Sequence, residues 1–238
     1  MSQLPNEIDD PERNRAGAAL RALGHAFVGH EAEPDLITAM ADTLETFTTS
    51  FGVGDPRARN PESFDKRQHQ VTADGERLLT YDDRPFSGRS SPWGLDMEVH
   101  RRGDEIEARV TLRAAHEGAP GRSHGGIVAG LFDDVFGFVL DILQQPAFTG
   151  ELTVRYVAPT PLGRRLACRG RLRERVGRKI YIEGELVDTE GADGTEVVVA
   201  RGHGLFIAVD VDVMRSALLP APPDESSSAR RQSLPTEK

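Results

Sequence analysis

The segment from Ile127 to Leu143 constrains the fold more than any other part of the chain. Apolar residues recur there at helical spacing and extend round most of the helix circumference. Such a helix has to be buried on most of its surface, and Pro146 has to end it because proline cannot continue the helical hydrogen bonding. The sequence therefore predicts one buried helix, marked by Val128, Leu131, Val135, Phe138 and Ile142.

Segments on both sides of this helix alternate with period two, as strands with one buried face do. Upstream, Ile106 to Leu112 alternate with charged residues, and three or four more strands follow the helix between turns. A buried helix among consecutive antiparallel strands predicts an α+β domain whose sheet wraps round the helix. The apolar residues that mark the downstream strands are Leu152, Val154 and Tyr156; Leu166, Cys168 and Leu172; Ile180, Ile182 and Leu186; and Val197, Val199, Leu205, Ile207 and Val209.

The N-terminal part has a different period and a different composition. Residues 1–54 contain two amphipathic helical patterns, the second starting at Pro34 and ending at Gly52, and we expect the two helices to pack as a hairpin. Residues 55–81 are rich in Pro, Asn, Asp and Arg and predict a linker. The main domain is then expected over 82–210, with a disordered tail over 211–238. The apolar residues of the helical patterns are Ala16, Leu20, Leu23 and Phe27, then Ile37, Met40, Leu44, Phe47 and Phe51.

Charge and cysteine content exclude several classes of function. The formal net charge is −9, which argues against a nucleic-acid partner because phosphate backbones are held by clustered Lys and Arg. The single cysteine, Cys168, cannot form an internal disulfide, and we interpret it as a core residue. No Cys/His cluster has zinc-site spacing, so neither a metal nor a separate cofactor is expected. A reducing, cytoplasmic setting fits this pattern.

Neither export nor membrane insertion is predicted. The N-terminus, MSQLPNEIDDPERNR, lacks the cationic start and apolar core of a signal peptide. The most apolar segment, from Ile127 to Leu143, contains Asp133, Asp134 and Asp141, and so does not provide the roughly 20 apolar residues that a membrane span needs.

A stretch at the start of the buried helix resembles a known family. The run GRSHGGIVAGLFDDVFG, from Gly121 to Gly137, resembles the HGG-x6-D pattern that opens the central helix of PaaI-like hotdog thioesterases, in the 4-hydroxybenzoyl-CoA thioesterase-like superfamily. RPFSGRSSPWG and AAHEGAPG resemble the lead-in of that family, and the residues from Thr149 to Tyr156 with VAPTPLG resemble its next strand and turn. The resemblance covers about half of the chain and does not extend to Met1–Tyr81 or the tail.

The resemblance implies a hotdog fold, an acyl-CoA substrate with a fatty or aromatic acyl group, and a site at a dimer interface. Asp133 matches the catalytic acid of the family, and Arg178 with Lys179 falls where many relatives present a basic strand edge to the CoA phosphates. One departure is that many relatives have Glu after the catalytic acid, where this chain has Asp134.

The residue types at the motif suit thioester hydrolysis. The reaction needs hydrogen-bond donors for the developing oxyanion and a carboxylate that activates water or attacks the carbonyl. Gly125 and Gly126 remove side chains where a helix begins, so backbone N–H groups and the positive end of the helix dipole can approach the thioester oxygen. Asp133 is the candidate base or nucleophile. His124 is expected to position the substrate carbonyl or the loop, and Thr149 to orient the attacking water.

The spacing of the motif predicts two copies of the chain at each site. Asp133 lies nine residues after His124, which places it about half a turn out of phase and roughly 13 Å along the helix axis. A single helix does not easily bring both residues to one carbonyl, so the glycine end of one copy should face Asp133 of another. We therefore expect a homodimer or a dimer of dimers.

Structural explanations compete with each functional interpretation. Asp133 can be a solvated carboxylate, His124 a structural histidine and Thr149 a turn residue, while Arg178 and Lys179 can be ordinary surface charges. A basic region nearby suits a phosphorylated carrier and should be exposed; it includes Arg165, Arg169, Arg171 and Arg173. Two other functions remain open: a hotdog hydratase or dehydratase acting on acyl thioesters, and a non-catalytic acyl-CoA sensor.

Overall fold

A computed structural model describes residues 10–57, 72–191 and 194–210. Within these ranges, six antiparallel strands form one sheet in the order β1-β2-β4-β5-β6-β3, and three α-helices and a short 3₁₀ turn at Ala114–His116 accompany it. The helices are α1 (Pro11–Gly29), α2 (Pro34–Gly52) and α3 (Gly125–Ile142). The strands are β1 (Glu98–Arg102), β2 (Glu105–Thr111), β3 (Ala147–Tyr156), β4 (Arg165–Val176), β5 (Lys179–Asp188) and β6 (Val197–Ala208).

The central helix α3 is buried against the sheet, as its apolar circumference predicts. Half of its residues are buried, and Phe132 and Phe136 are wholly excluded from solvent. The inward residues of β2, Ile106, Ala108 and Val110, and Leu112 just after the strand are buried under it. The predicted α+β hotdog architecture is confirmed. Strand β1, which the sequence interpretation did not identify, pairs with β2 through a tight turn in which Gly103 has a φ of 62°.

A row of glycines lets α3 approach the sheet closely. Gly170, Gly184 and Gly202 are in register across β4, β5 and β6. A Cβ atom on Gly184 would lie 2.8 Å from the Phe136 ring, and one on Gly202 would lie 2.7 Å from the Phe132 ring. The two rings therefore occupy the space that side chains would otherwise fill, which keeps the core closely packed.

Helices α1 and α2 form where predicted, but the prediction of a helical hairpin is wrong. Helix α2 has no buried residue, and the apolar stripe of α1 is largely exposed, with Phe27 at 52%. Helix α1 instead docks on the main domain through another face, where Gly17 and Arg21 are buried. A Cβ on Gly17 would lie 2.5 Å from the Ser90 carbonyl oxygen, so the backbones are in close contact. Small and polar residues of α1 thus pack against the main domain, whereas its apolar stripe was expected to pack against α2.

The segment before β1 adds to the domain. Leu78 is buried, its N–H donates to the Val99 carbonyl, and Arg77 bridges to His100, so the end of the predicted linker runs along β1. Residues 58–71 of that linker and the predicted tail at 211–238 lie outside the described residues. Leu172, expected on the buried face of β4, is 36% exposed and is the last residue before a register shift in that strand.

Candidate active site

Helix α3 begins at the predicted motif, and His124 is its N-cap residue. The His124 Nδ1 atom accepts a hydrogen bond from the Gly126 N–H at 3.0 Å, and the His124 N–H donates to the His116 carbonyl at 2.8 Å. Gly118 lies against His124, where a Cβ would be 2.7 Å from the His124 Cα. The loop before α3 therefore holds His124 in place from several sides.

This arrangement distinguishes the two glycines. Because the Gly126 N–H is bonded to His124, the Gly125 N–H is the motif amide for which the described residues offer no acceptor. Gly125 is the first residue of α3, where backbone N–H groups lack partners within the helix and the dipole is positive. An acceptor at Nδ1 also leaves the His124 proton on Nε2, as a donor that points away from the cap. Of the two candidate oxyanion donors, the geometry favours Gly125.

Tyr156, at the end of β3, also contacts the motif. Its hydroxyl donates to the Gly125 carbonyl at 2.7 Å, and a Cβ on Gly125 would lie 3.0 Å from the hydroxyl oxygen. The sequence interpretation placed Tyr156 in the strand pattern but gave it no role in the site. The sequence does contain a sign of this contact. Tyr156 alternates with the apolar residues Leu152 and Val154 but carries a hydroxyl group, which needs a hydrogen-bond partner on that face.

Asp133 lies two turns further along α3 and is exposed, while its neighbours Phe132 and Asp134 are buried. Its Oδ1 atom accepts a hydrogen bond from the Thr149 hydroxyl at 3.0 Å. A β-bulge between Thr149 and Glu151 makes this contact possible. The extra residue changes the phase of β3, so that Thr149 faces α3 although Leu152 also packs towards the core.

Asp134 forms an ion pair with Arg84 and does not take part in the site around Asp133. It is 5% exposed, and its Oδ1 atom lies 2.7 Å from the Arg84 guanidinium. Arg84 also lies 5.3 Å from the centre of the Phe138 ring, and a Cβ on Gly137 would be 2.6 Å from Arg84 Nη2. The sequence interpretation missed Arg84. A buried carboxylate on an apolar helix requires a cation or hydrogen-bond donors. The position of Asp134 on α3 is therefore the signal that a basic partner is needed.

The described residues of one chain do not bring Gly125 and Asp133 together. Both lie on α3, eight residues apart in sequence, which corresponds to roughly 12 Å along the axis. A thioester carbonyl bound at Gly125 is therefore out of reach of Asp133 in the same chain.

The two predicted CoA-binding residues lie at the sheet end that carries Thr149. Lys179 pairs with Ile207 of β6, and Ile207 pairs with Phe148 of β3. Lys179 is thus two strands, or roughly 10 Å, from the residue next to Thr149. Arg178 is exposed, and its Nε donates to the Ala208 carbonyl at 3.0 Å.

The neighbouring basic region is largely neutralised by acidic partners. Arg169 forms ion pairs with Glu107 and Glu196, and Arg171 with Glu105 and Glu183. Arg165 and Arg173 pair with Glu190 and Glu174. These arginines therefore belong to a network of ion pairs on the sheet surface and do not form a free anion-binding patch.

Two further predictions concern redox and metal chemistry. Cys168 is buried, and burial raises the pKa of its thiol, which agrees with its interpretation as a core residue. Within the ranges that the structure describes, no three His, Cys, Asp or Glu side chains gather closely enough to hold a metal ion, and no helix is both long and apolar enough to cross a membrane. The expectation of no cofactor beyond the CoA of the substrate stays a prediction.

Comparison with known proteins agrees with the fold. One solved structure, a thioesterase superfamily protein, is 24% identical over 84% of this chain and 92% of its own, with a TM-score of 0.68. The 84% of the chain that is matched contains more residues than the range 82–238 does. The similarity in fold therefore extends into the part of the chain before residue 82. A hypothetical thioesterase from Streptococcus pneumoniae TIGR4 with coenzyme A matches 48% of this chain and 89% of its own at 16% identity and a TM-score of 0.43. PaaI from the phenylacetic acid degradation operon of E. coli matches 48% of this chain and 83% of its own at 18% identity and a TM-score of 0.43.

The sequence of the domain itself provides a second similarity. Curated proteins provide no significant match. Residues 121–195, which run from the loop before α3 through β5, match the family model described as thioesterase superfamily. The family-model match and the shared fold both show that this domain is similar to thioesterases of hotdog fold.

Proposed function

We propose that this protein hydrolyses acyl-CoA thioesters at sites that two copies of the chain share. The observation that carries the proposal is the layout of α3. The Gly125 amide, which has no acceptor among the described residues, lies at the positive end of the helix. An exposed carboxylate, Asp133, lies two turns away with one oxygen held by Thr149.

The proposed chemistry assigns one task to each group. The Gly125 N–H and the helix dipole stabilise the oxyanion that forms when the thioester carbonyl is attacked. The His124 Nε2–H is available as a second donor. Asp133 of the other copy uses Oδ2, since Thr149 occupies Oδ1, and takes a proton from the attacking water. The tetrahedral intermediate then collapses, the C–S bond breaks, and the CoA thiolate receives the proton. Direct attack by Asp133 on the carbonyl is the alternative, with water then hydrolysing the anhydride.

Strand β3 supports the sharing of sites. It is an edge strand of the sheet, so within the described residues one side of its backbone has no neighbouring strand. An exposed edge of ten residues favours pairing with another strand, and a two-fold axis there would make the contact self-complementary. Because Thr149 and Tyr156 are on β3, such a dimer would place both motif contacts at its interface.

We assign the CoA phosphates to Arg178 and Lys179, supported by their exposure at the Thr149 end of the sheet. Replacing both with alanine should raise the KM for an acyl-CoA, because a charge-assisted phosphate contact is lost. The KM for the same acyl group on N-acetylcysteamine, which has no phosphates, should stay unchanged. An equal rise for both thioesters would refute the assignment.

A thiol-release screen tests the activity and identifies the acyl group. The native protein is assayed with short, medium, long and aromatic acyl-CoAs, and the acyl product is identified. Free CoA with the matching acid supports hydrolysis, whereas a 2-enoyl or 3-hydroxyacyl-CoA would indicate a hydratase. Binding without turnover of any acyl-CoA would indicate a sensor.

The variant Gly125→Pro tests the oxyanion donor with little change to the backbone. Proline suits the first helical position, and His124 already has the extended φ and ψ of −64° and 134° that precede proline. Removing the N–H should lower kcat about 100-fold or more. Gly125→Ala is the matched control, since it adds carbon against Tyr156 and retains the N–H. Equal activity of the two variants would exclude the Gly125 amide.

A further inference from the structure

We infer that Tyr156 is a positioning residue for the Gly125 amide, an inference that rests on the proposed function. The Tyr156 hydroxyl donates to the Gly125 carbonyl at 2.7 Å. On the other side of the same peptide unit, the Gly126 N–H is bonded to His124 Nδ1 at 3.0 Å. The Gly125–Gly126 peptide plane is therefore held at both ends by side chains from outside the helix.

Two consecutive glycines need this restraint. Glycine has the widest range of backbone conformations, so fixing it costs more conformational entropy than fixing any other residue. The first turn of a helix is also where its own hydrogen bonds restrain the chain least. Holding the peptide unit that follows Gly125 restrains the Gly125 ψ angle. This limits the orientations of the preceding peptide unit, which carries the free N–H, before substrate arrives. An oxyanion donor is most effective when it is oriented in advance.

Strand β3 then positions both ends of the site. Thr149, near its start, donates to the Asp133 carboxylate, and Tyr156, its last residue, donates to the Gly125 carbonyl. Both donors are hydroxyl groups that reach from the sheet to α3. Tyr156 is 52% exposed, so its hydroxyl contributes little to the core, and the hydrogen bond to Gly125 is its specific contact with α3.

The sequence offers a direct test of the hydrogen bond. Gly125–Gly126 is the only Gly-Gly pair in the chain. Protein made by cell-free synthesis with [1-¹³C,¹⁵N]glycine should therefore give a single HNCO correlation, which reports the Gly125 carbonyl carbon and the Gly126 amide. Tyr156→Phe removes the hydroxyl and retains the ring. The ¹³C frequency of that correlation should decrease when the donor is lost, and an unchanged frequency would overturn the inference.

Kinetics tests the positioning role. Tyr156→Phe should lower kcat on the best acyl-CoA about three- to tenfold, the effect of one net hydrogen bond, with KM and the midpoint of thermal unfolding close to wild type. Tyr181→Phe is the matched control, since no hydrogen bond of the Tyr181 hydroxyl is found in the described part of the chain.

Three kinetic outcomes would overturn the inference. They are a wild-type kcat in Tyr156→Phe, a change confined to KM, and a loss of activity that follows a loss of thermal stability. Failure of the proposed function is distinguishable, because the native protein would then release no CoA while the HNCO result would still report the contact.

Discussion

At the scale of single residues, adjacent side chains on α3 have opposite environments. Asp133 is exposed and accepts a hydrogen bond from Thr149, whereas Asp134 is buried and paired with Arg84. The helical turn of about 100° per residue accounts for the difference, since it directs consecutive side chains to different surroundings. Under the proposed function, one carboxylate serves catalysis and the other stability.

Substituting each aspartate separately tests this division. Asp133→Asn should lower kcat about 100- to 10,000-fold, as expected on losing a general base, with little change in the free energy of unfolding. Asp134→Asn leaves the Arg84 charge without its partner and should lower the free energy of unfolding by about 2–4 kcal/mol. Steady-state kinetics and urea unfolding measure both effects. Wild-type rates in Asp133→Asn would remove that residue from the mechanism.

At the scale of elements, the contact between α3 and the sheet depends on the glycine row. A Cβ on Gly184 would lie 2.4 Å from the Arg169 carbonyl oxygen, which belongs to the backbone of β4. A Cβ on Gly170 would meet only side-chain atoms of α3, at 3.2–3.4 Å. The two positions are in register on neighbouring strands, but they differ in what has to move.

Alanine at these two positions should therefore have different effects. Gly184→Ala forces the strands apart and should lower the free energy of unfolding by about 1–3 kcal/mol, as overpacking does. Gly170→Ala should cost less, because side-chain methyl groups can shift and the unfolded chain loses entropy on replacing glycine. Urea unfolding of both variants gives the comparison. A larger loss for Gly170→Ala would contradict the described packing.

At the scale of the whole molecule, the N-terminal helix is connected to the site through two histidines. The rings of His25 on α1 and His116 on the 3₁₀ turn lie 4.7 Å apart. His25 Nδ1 accepts from the Ala115 N–H, and His116 Nδ1 accepts from the Arg113 N–H. The His116 carbonyl in turn accepts from the His124 N–H.

This cluster predicts a pH dependence of stability. Burial, with further contributions from His25 and Arg113, lowers the pKa of His116 from 6.5 to about 4. Burial, followed by Arg113, also lowers the pKa of His25, while Asp96 opposes the shift in both. The unfolded chain therefore binds protons first, so stability present above pH 6.5 should be lost as the pH falls towards 4.

The variant His116→Gln isolates this contribution. It retains an acceptor for the Arg113 N–H and removes the titrating group. Urea unfolding between pH 7 and pH 4 should show a shallower loss of stability in the variant than in the native protein. Parallel curves would exclude His116 as a source of the pH dependence.

Shared sites predict recovery of activity in mixed oligomers. Gly125→Pro and Asp133→Asn should each be inactive alone. In a mixed dimer, one site combines the intact Gly125 of one copy with the intact Asp133 of the other. Refolding an equal mixture should then restore about a quarter of wild-type activity, since about half the dimers are mixed and each has one functional site. No recovery despite mixed dimers, detected with two different affinity tags, would show that sites are not shared.

Sequence patterns alone determined the elements and the chemistry-bearing motif. The apolar circumference of α3 and the alternation of the strands are local properties, and they predicted the buried helix and the wrapped sheet. These properties can be read from the chain because helices and strands have fixed periods. The resemblance of the HGG-x6-D motif to a known family made Gly125 and Asp133 candidates, and the hydroxyl of Thr149 suggested its role.

Only the tertiary structure decided which groups meet. Tyr156 contacts Gly125 from a residue 31 positions away, the bulge in β3 turns Thr149 towards Asp133, and Arg84 reaches Asp134 from a loop. The docking of α1 through Gly17 and Arg21, rather than through its apolar stripe, is a further case. Periodicity predicts which side of an element is apolar. It does not determine which distant surface has the shape and the hydrogen-bonding groups to contact that element.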